Sequence, residues 1–192
     1  LLSFSDSEGA PPSFLNGTVI EQDLLEWAYF RDEETDAPFA HYTDFLDRRP
    51  DWPGSSRIRA NAERTIDDNV SSLDVLRFFD GADIETGQGA VAYANALIAD
   101  GRRDEAEAML IDVWANDALT TPGHQAIINA YPNVVAPFHE DRVEMLLWRW
   151  RTTDASNVLP LLDEGQRALT AARIAIINRA GDISAREELI PA

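Results

Sequence analysis

The chain has 192 residues, with 34 Asp or Glu against 16 Arg, no Lys and no Cys, and so a formal charge of -18. A field of that sign repels phosphate backbones and excludes nucleic acid as a partner, and the missing Cys excludes disulfides, thiolate nucleophiles and Cys-ligated zinc. Apolar residues make up 45%, but no apolar run approaches the roughly 18 residues of a membrane span, so no spanning segment is expected.

Residues 1–17 are rich in Ser, Pro and Gly, with Pro11-Pro12 and Asn16-Gly17 as breakers, and are expected to form a flexible arm. The start lacks an initiator Met, a basic region and the long apolar stretch of a signal peptide, so the chain is expected to be a piece of a longer one. From Thr18 apolar residues recur at helical spacing, most clearly in Ala106, Met109, Leu110 and Val113 and in Val143, Leu146, Leu147 and Trp150. The pattern predicts helices at about 18–31, 36–48, 54–67, 71–80, 86–99, 103–116, 120–130, 140–151, 154–161 and 164–180. Alternating strand patterns are missing, so residues 18–192 are expected to form one all-α domain.

Short helices with shorter connections favour antiparallel hairpins. The clearest is 93–116, turning at Asp100-Gly101-Arg102-Arg103 before the acidic helix start Asp104-Glu105. Laid over itself at an offset of 68, the chain aligns Phe30 with Ile98, Ala40 with Ala108, Tyr42 with Leu110, Asp44 with Asp112 and Phe45-Leu46 with Val113-Trp114. That offset is twice the tetratricopeptide period of about 34. The expected architecture is a right-handed superhelix, a solenoid of stacked antiparallel helical hairpins of tetratricopeptide-like form.

The motifs that could carry chemistry each have a plainer reading. Gly87-Gln88-Gly89-Ala90-Val91-Ala92 fits a loosened dinucleotide fingerprint, but the acidic turn Asp80–Thr86 stands where a buried strand should precede it, so it reads as a helix start. The three histidines His41, His124 and His139 lack the i+3 or i+4 spacing of a metal pair, and the acids of His139-Glu140-Asp141 read as a helix start. Glu33-Glu34, Asp67-Asp68 and Glu187-Glu188 read as solvated faces or turns among 34 acids. Asn16 and Asn69 fit the short glycosylation acceptor pattern, which arises often by chance. No catalytic, cofactor-binding or metal residue is assigned, and no cofactor is expected.

Trp27, Trp114, Trp148 and Trp150 fall in helical stripes and are expected in the core. Trp52 sits in an inter-helix turn, where it is expected to wedge hairpins together while Pro53 presets the first turn of the next helix. The stretch Tyr42-Thr43-Asp44-Phe45-Leu46-Asp47-Arg48-Arg49-Pro50-Asp51-Trp52-Pro53-Gly54, continuing to Ala62-Glu63, resembles a segment of the large soluble lytic transglycosylases of bacteria. Asp23-Leu24-Leu25-Glu26-Trp27 is similar to the acidic, Trp-bearing helix that precedes it there. Ala96-Leu97 to Gly101, with Glu105-Ala106 to Val113-Trp114, resembles the family's small hairpin, and Phe138–Arg142 with Leu146-Leu147-Trp148 resembles a later helix. The four pieces span about residues 20–180 in the family's order.

The resemblance implies the superhelical, U-shaped domain of a periplasmic enzyme of cell-wall turnover, which cleaves the MurNAc–GlcNAc bonds of peptidoglycan. In that family a separate lysozyme-like domain supplies a catalytic Glu, usually in a Glu-Ser motif. This sequence has no Glu followed by Ser, so no catalytic residue carries over. The chain is therefore expected to be a non-catalytic scaffold whose partners are its own C-terminal catalytic domain and glycan strands. The alternative is a tetratricopeptide-like protein-interaction module.

Overall fold

A computed structural model of the chain describes residues 2–3, 13–14 and 18–178. The helices are α1 (Val19–Phe30), α2 (Phe39–Arg48), α3 (Ser55–Arg64), α4 (Ser72–Phe79), α5 (Gly87–Ala99), α6 (Arg103–Asn116), α7 (Thr121–Ala130), α8 (Pro132–Val135), α9 (His139–Trp148), α10 (Thr152–Val158) and α11 (Glu164–Ile177). Single 3-10 turns at Ala136–Phe138 and Leu159–Leu161 join them. Beside these lies a short antiparallel pairing of Leu2–Ser3 with Ser13–Phe14, and the rest of the expected arm 1–17 lies outside the described residues. The all-α reading holds for the described chain. All ten expected helices have a counterpart, while α8 and the turn after it fill the stretch left between them, each with a proline at its first or second position.

Helix starts follow local chemistry. Thr18 accepts from the Glu21 amide while Glu21 reaches back to the Thr18 amide, a reciprocal capping box. Ser71, Thr86, Thr120 and Asp163 each accept from the amide three residues on. The end of α5 closes with Gly101 at φ +83°, the Arg102 amide reaching Leu97 O at 2.8 Å and the Gly101 amide reaching Ile98 O at 3.0 Å.

The end of α9 makes the same pair of bonds, Arg151 to Leu146 O at 2.9 Å and Trp150 to Leu147 O at 3.1 Å, but the left-handed residue is Trp150 at φ +59°. The helix therefore stops at Trp148 rather than near 151, which corrects two core assignments. Val143, Leu146 and Leu147 are buried, whereas Trp148 is 87% and Trp150 75% exposed, because the chain leaves the helix before the stripe reaches Trp150. Trp114 is fully buried and Trp27 packs half-buried against the core, as expected.

The chain divides into two compact units, Leu1–Arg102 and Arg103–Ala192. The boundary falls in the turn between α5 and α6. In the first unit α2 packs on α3, and α5 packs on α3 and α4. Their shared core includes Phe30, Tyr42, Phe45, Ile58 and Phe79. Trp52 meets Trp27 edge-on at 6.4 Å and Phe45 at 5.9 Å, so it wedges α1 and α2 together. Gly54, at φ +75°, is the N-cap of α3; Pro53 thus lies outside the first helical turn it was expected to preset, and its carbonyl accepts from Trp27 Nε1 at 2.7 Å. In the second unit α9 packs on α6, α10 and α11, with Val143, Leu146, Ala155 and Val158 in its core.

Candidate functional site

Glu63, on α3, is 1% exposed. One carboxylate oxygen accepts from the Glu85 amide at 2.9 Å and the other from the Thr86 hydroxyl at 2.7 Å, while that hydroxyl accepts from the Gly89 amide at 2.9 Å. A Cβ on Gly89 would lie 2.2 Å from the Glu63 carboxylate. The Gly-x-Gly pattern is therefore a helix start, as expected, and its glycine admits the chain's own carboxylate. Burial raises the Glu63 pKa to about 7, against the lowering effect of the Thr86 and Glu85 hydrogen bonds.

In the second unit Arg142 is 1% exposed and donates through one nitrogen to Trp114 O at 2.6 Å and Asp117 O at 3.2 Å, at the C-terminal end of α6. Its guanidinium lies 4.4 Å over the Trp114 ring. His124 stacks on the same indole at 4.9 Å, and His139 tilts against it at 5.4 Å. Burial, then the Arg142 charge, pushes His124 down to about 4 and lowers His139, and burial brings Arg142 down to about 10. Two of the three histidines thus meet through a tryptophan. Among the described residues no group of three or more His, Asp or Glu is placed to hold a metal ion.

The first unit also carries an open groove of about 880 Å³ between α2 and α4. From α2 it is lined by Phe39, Thr43, Leu46 and Asp47, and from α4 with its leading turn by Val70, Asp74, Arg77 and Phe78. Phe39, Leu46 and Phe78 belong to the buried core, and Phe39 packs edge-on against Phe78 at 5.1 Å, so these three form the floor of the groove. Arg59 of α3 also lines it, tethered by a 2.6 Å bond to Phe78 O and lying 4.2 Å over the Phe78 ring.

No known protein family, no curated protein and no solved structure matches the chain.

The remaining sequence candidates sit in ordinary places. Glu33 and Glu34 are exposed, Glu33 pairing with Arg57 at 3.4 Å. Asp67 accepts from Asn69, Asp68 is exposed, and Asn69 is held by Asp67 in the turn before α4. Glu187-Glu188 and Asn16 lie outside the described residues. Three of the buried polar groups reach main chain, Glu63 at the start of α5, Arg142 at the end of α6, and Asn61 at Phe30 O (2.9 Å) and Asp32 O (3.0 Å), while buried Asp23 is held by arginine side chains. Their chemistry is that of braces between helices. Periodicity missed Glu63 and Arg142, although each stood inside a stretch that carried the resemblance; the groove had no sequence signal, because its walls are separated by α3.

Proposed function

We propose that the chain is a non-catalytic helical scaffold, the superhelical domain of a periplasmic lytic transglycosylase, which positions a lysozyme-like catalytic domain and glycan strands of peptidoglycan during cell-wall turnover. The observation that carries this reading is that the residues bearing the resemblance are one another's partners. Asp23 pairs with Arg48 at 3.1 Å and with Arg49, and Trp27 meets both Pro53 and Trp52. In the other unit Trp114 meets His139 and Arg142. Each piece acts as a brace, which is the role such residues have in a scaffold. The offset of 68 supports the hairpin-repeat architecture: Tyr42 and Leu110 are buried, Phe45-Leu46 and Val113-Trp114 are buried, and Asp44 and Asp112 are exposed.

Incubation of the purified chain with peptidoglycan, followed by analysis for 1,6-anhydro-muropeptides, tests the reading. No release is expected from this chain alone; release would overturn the scaffold assignment. Sequencing of the gene beyond Ala192 tests the other half, since a lysozyme-like frame with a Glu-Ser motif is expected. The α2–α4 groove favours a second reading, a tetratricopeptide-like interaction module, and a gene continuing into something unlike lysozyme would select it.

A further inference from the structure

We propose that Trp148 and Trp150 form a stacking platform for a carboxylate-bearing glycan strand, with Arg149 between them to take the carboxylate. The inference rests on the peptidoglycan reading above and gives it a contact surface. The two indoles are 87% and 75% exposed, the most exposed large apolar side chains among the described residues, whereas Trp27 and Trp52 pack on a core and Trp114 is buried. Trp150 also holds the left-handed φ of +59° that favours glycine. A backbone position that disfavours its own side chain and returns no burial points to a role in binding rather than in folding. The bonds from the Trp150 and Arg151 amides to Leu147 O and Leu146 O fix the turn that carries both rings, so little ordering remains to be done on contact.

The ground around the rings selects the occupant. Glu144 one turn before Trp148, Arg149 between the rings and Thr153 beyond them are exposed and polar. The indoles therefore stand as separate apolar plates, not as one continuous face for a protein partner. A pyranose ring has the complementary build, a C–H face that lies on an indole and a rim of hydroxyls that bonds to polar neighbours. Charge narrows the class further. Arg151 is held by Asp154 at 2.6 Å and Glu144 by Arg173. Arg149 has no side-chain partner among the described residues and so offers a cation to a carboxylate. The formal charge of -18 turns away densely charged lipid or nucleic-acid surfaces. A glycan carries its carboxylates singly on a neutral strand, where the long-range repulsion is largely screened.

Calorimetric titration of the full chain with soluble GlcNAc–MurNAc-peptide tetrasaccharides, beside chitotetraose as the neutral counterpart, tests the proposal. Saturable binding of both is expected, tighter for the first. Trp148→Ala/Trp150→Gly should weaken both roughly tenfold, since exposed aromatic anchors dominate such contacts. Arg149→Gln should weaken only the carboxylate-bearing sugar, by about threefold, the loss of one exposed ion pair. Leu24→Ala/Leu73→Ala removes exposed apolar side chains of the other unit and is expected to leave affinity within about twofold. The indole N–H resonances of Trp148 and Trp150 should shift on titration while that of Trp114 stays. All these substitutions are at exposed side chains, so circular dichroism of the variants should match the parent. Unchanged binding by the tryptophan variant would overturn the platform and leave the peptidoglycan reading standing. Absence of binding by the parent would overturn the platform and the glycan contact of that reading, while a lysozyme-like frame beyond Ala192 would still support its scaffold half. Tryptophan-dependent binding to phosphatidylglycerol vesicles, with none to either sugar, would overturn the proposal in favour of a membrane surface.

Discussion

At Gly89 a single added methyl group would displace the carboxylate of Glu63 from its two donors. Gly89→Ala is therefore expected to cost about 1–3 kcal/mol, through overpacking and the hydrogen bonds that Glu63 gives up. The cost should shrink in a Glu63→Ala background, and urea unfolding of the double-mutant cycle measures it; strict additivity would show that the two residues do not share the space. Trp150 poses the opposite case. An exposed aromatic holds the left-handed position at the end of α9, where a side chain costs roughly 1–2 kcal/mol relative to glycine. Trp150→Gly should raise the urea midpoint by about 1 kcal/mol in stability terms, since little apolar burial is lost; an unchanged or lower midpoint would mean that the indole repays its backbone strain elsewhere.

At the scale of elements, two helix ends are closed by side chains from far along the chain: α1 by Asn61 and α6 by Arg142. Arg142→Met keeps much of the volume but strands the carbonyls of Trp114 and Asp117, and is expected to cost about 2 kcal/mol. It should also let the His124 and His139 titrations move upward as the opposing charge disappears, which NMR of the imidazole resonances reads directly. These closures explain what could be read in advance. Thr18, Ser71, Thr86, Thr120 and Asp163 announce their helices because a cap acts within three residues. Gly81 and Gly101 mark turns for the same local reason. The burial of Glu63, the bond from Arg142 to Trp114 O and the left-handed Trp150 depend on partners or packing that spacing does not encode, and a stripe ending in Trp150 looks like a longer helix than α9 is. The groove is least legible of all, since Asp47 and Asp74 look like any other acid until α2 and α4 are brought side by side.

For the whole molecule, the two units are expected to respond to pH with opposite sign. Glu63 in Leu1–Arg102 has its pKa raised from 4.5 to about 7. The folded unit then binds more protons than the unfolded chain between those values, so stability falls as pH rises through that window. Its contribution is on the order of 3 kcal/mol, at about 1.4 kcal/mol per unit, and Glu63→Gln should remove the slope. His124 in Arg103–Ala192 has its pKa lowered from 6.5 to about 4. There the unfolded chain binds more protons, so stability rises with pH across that window and is lost as His124 is forced to charge. Denaturation of each unit at about pH 5 and about pH 7 checks this; parallel slopes in the two units would contradict it. The exposed pair at the end of α9 supplies the means. Trp148 and Trp150 stand in water, whereas Trp27 and Trp52 lie against the first core and Trp114 inside the second unit. Replacing the outer two together with Trp114 leaves Trp27 and Trp52 to report the melting of the first half, and replacing them together with Trp27 and Trp52 leaves Trp114 to report that of the second.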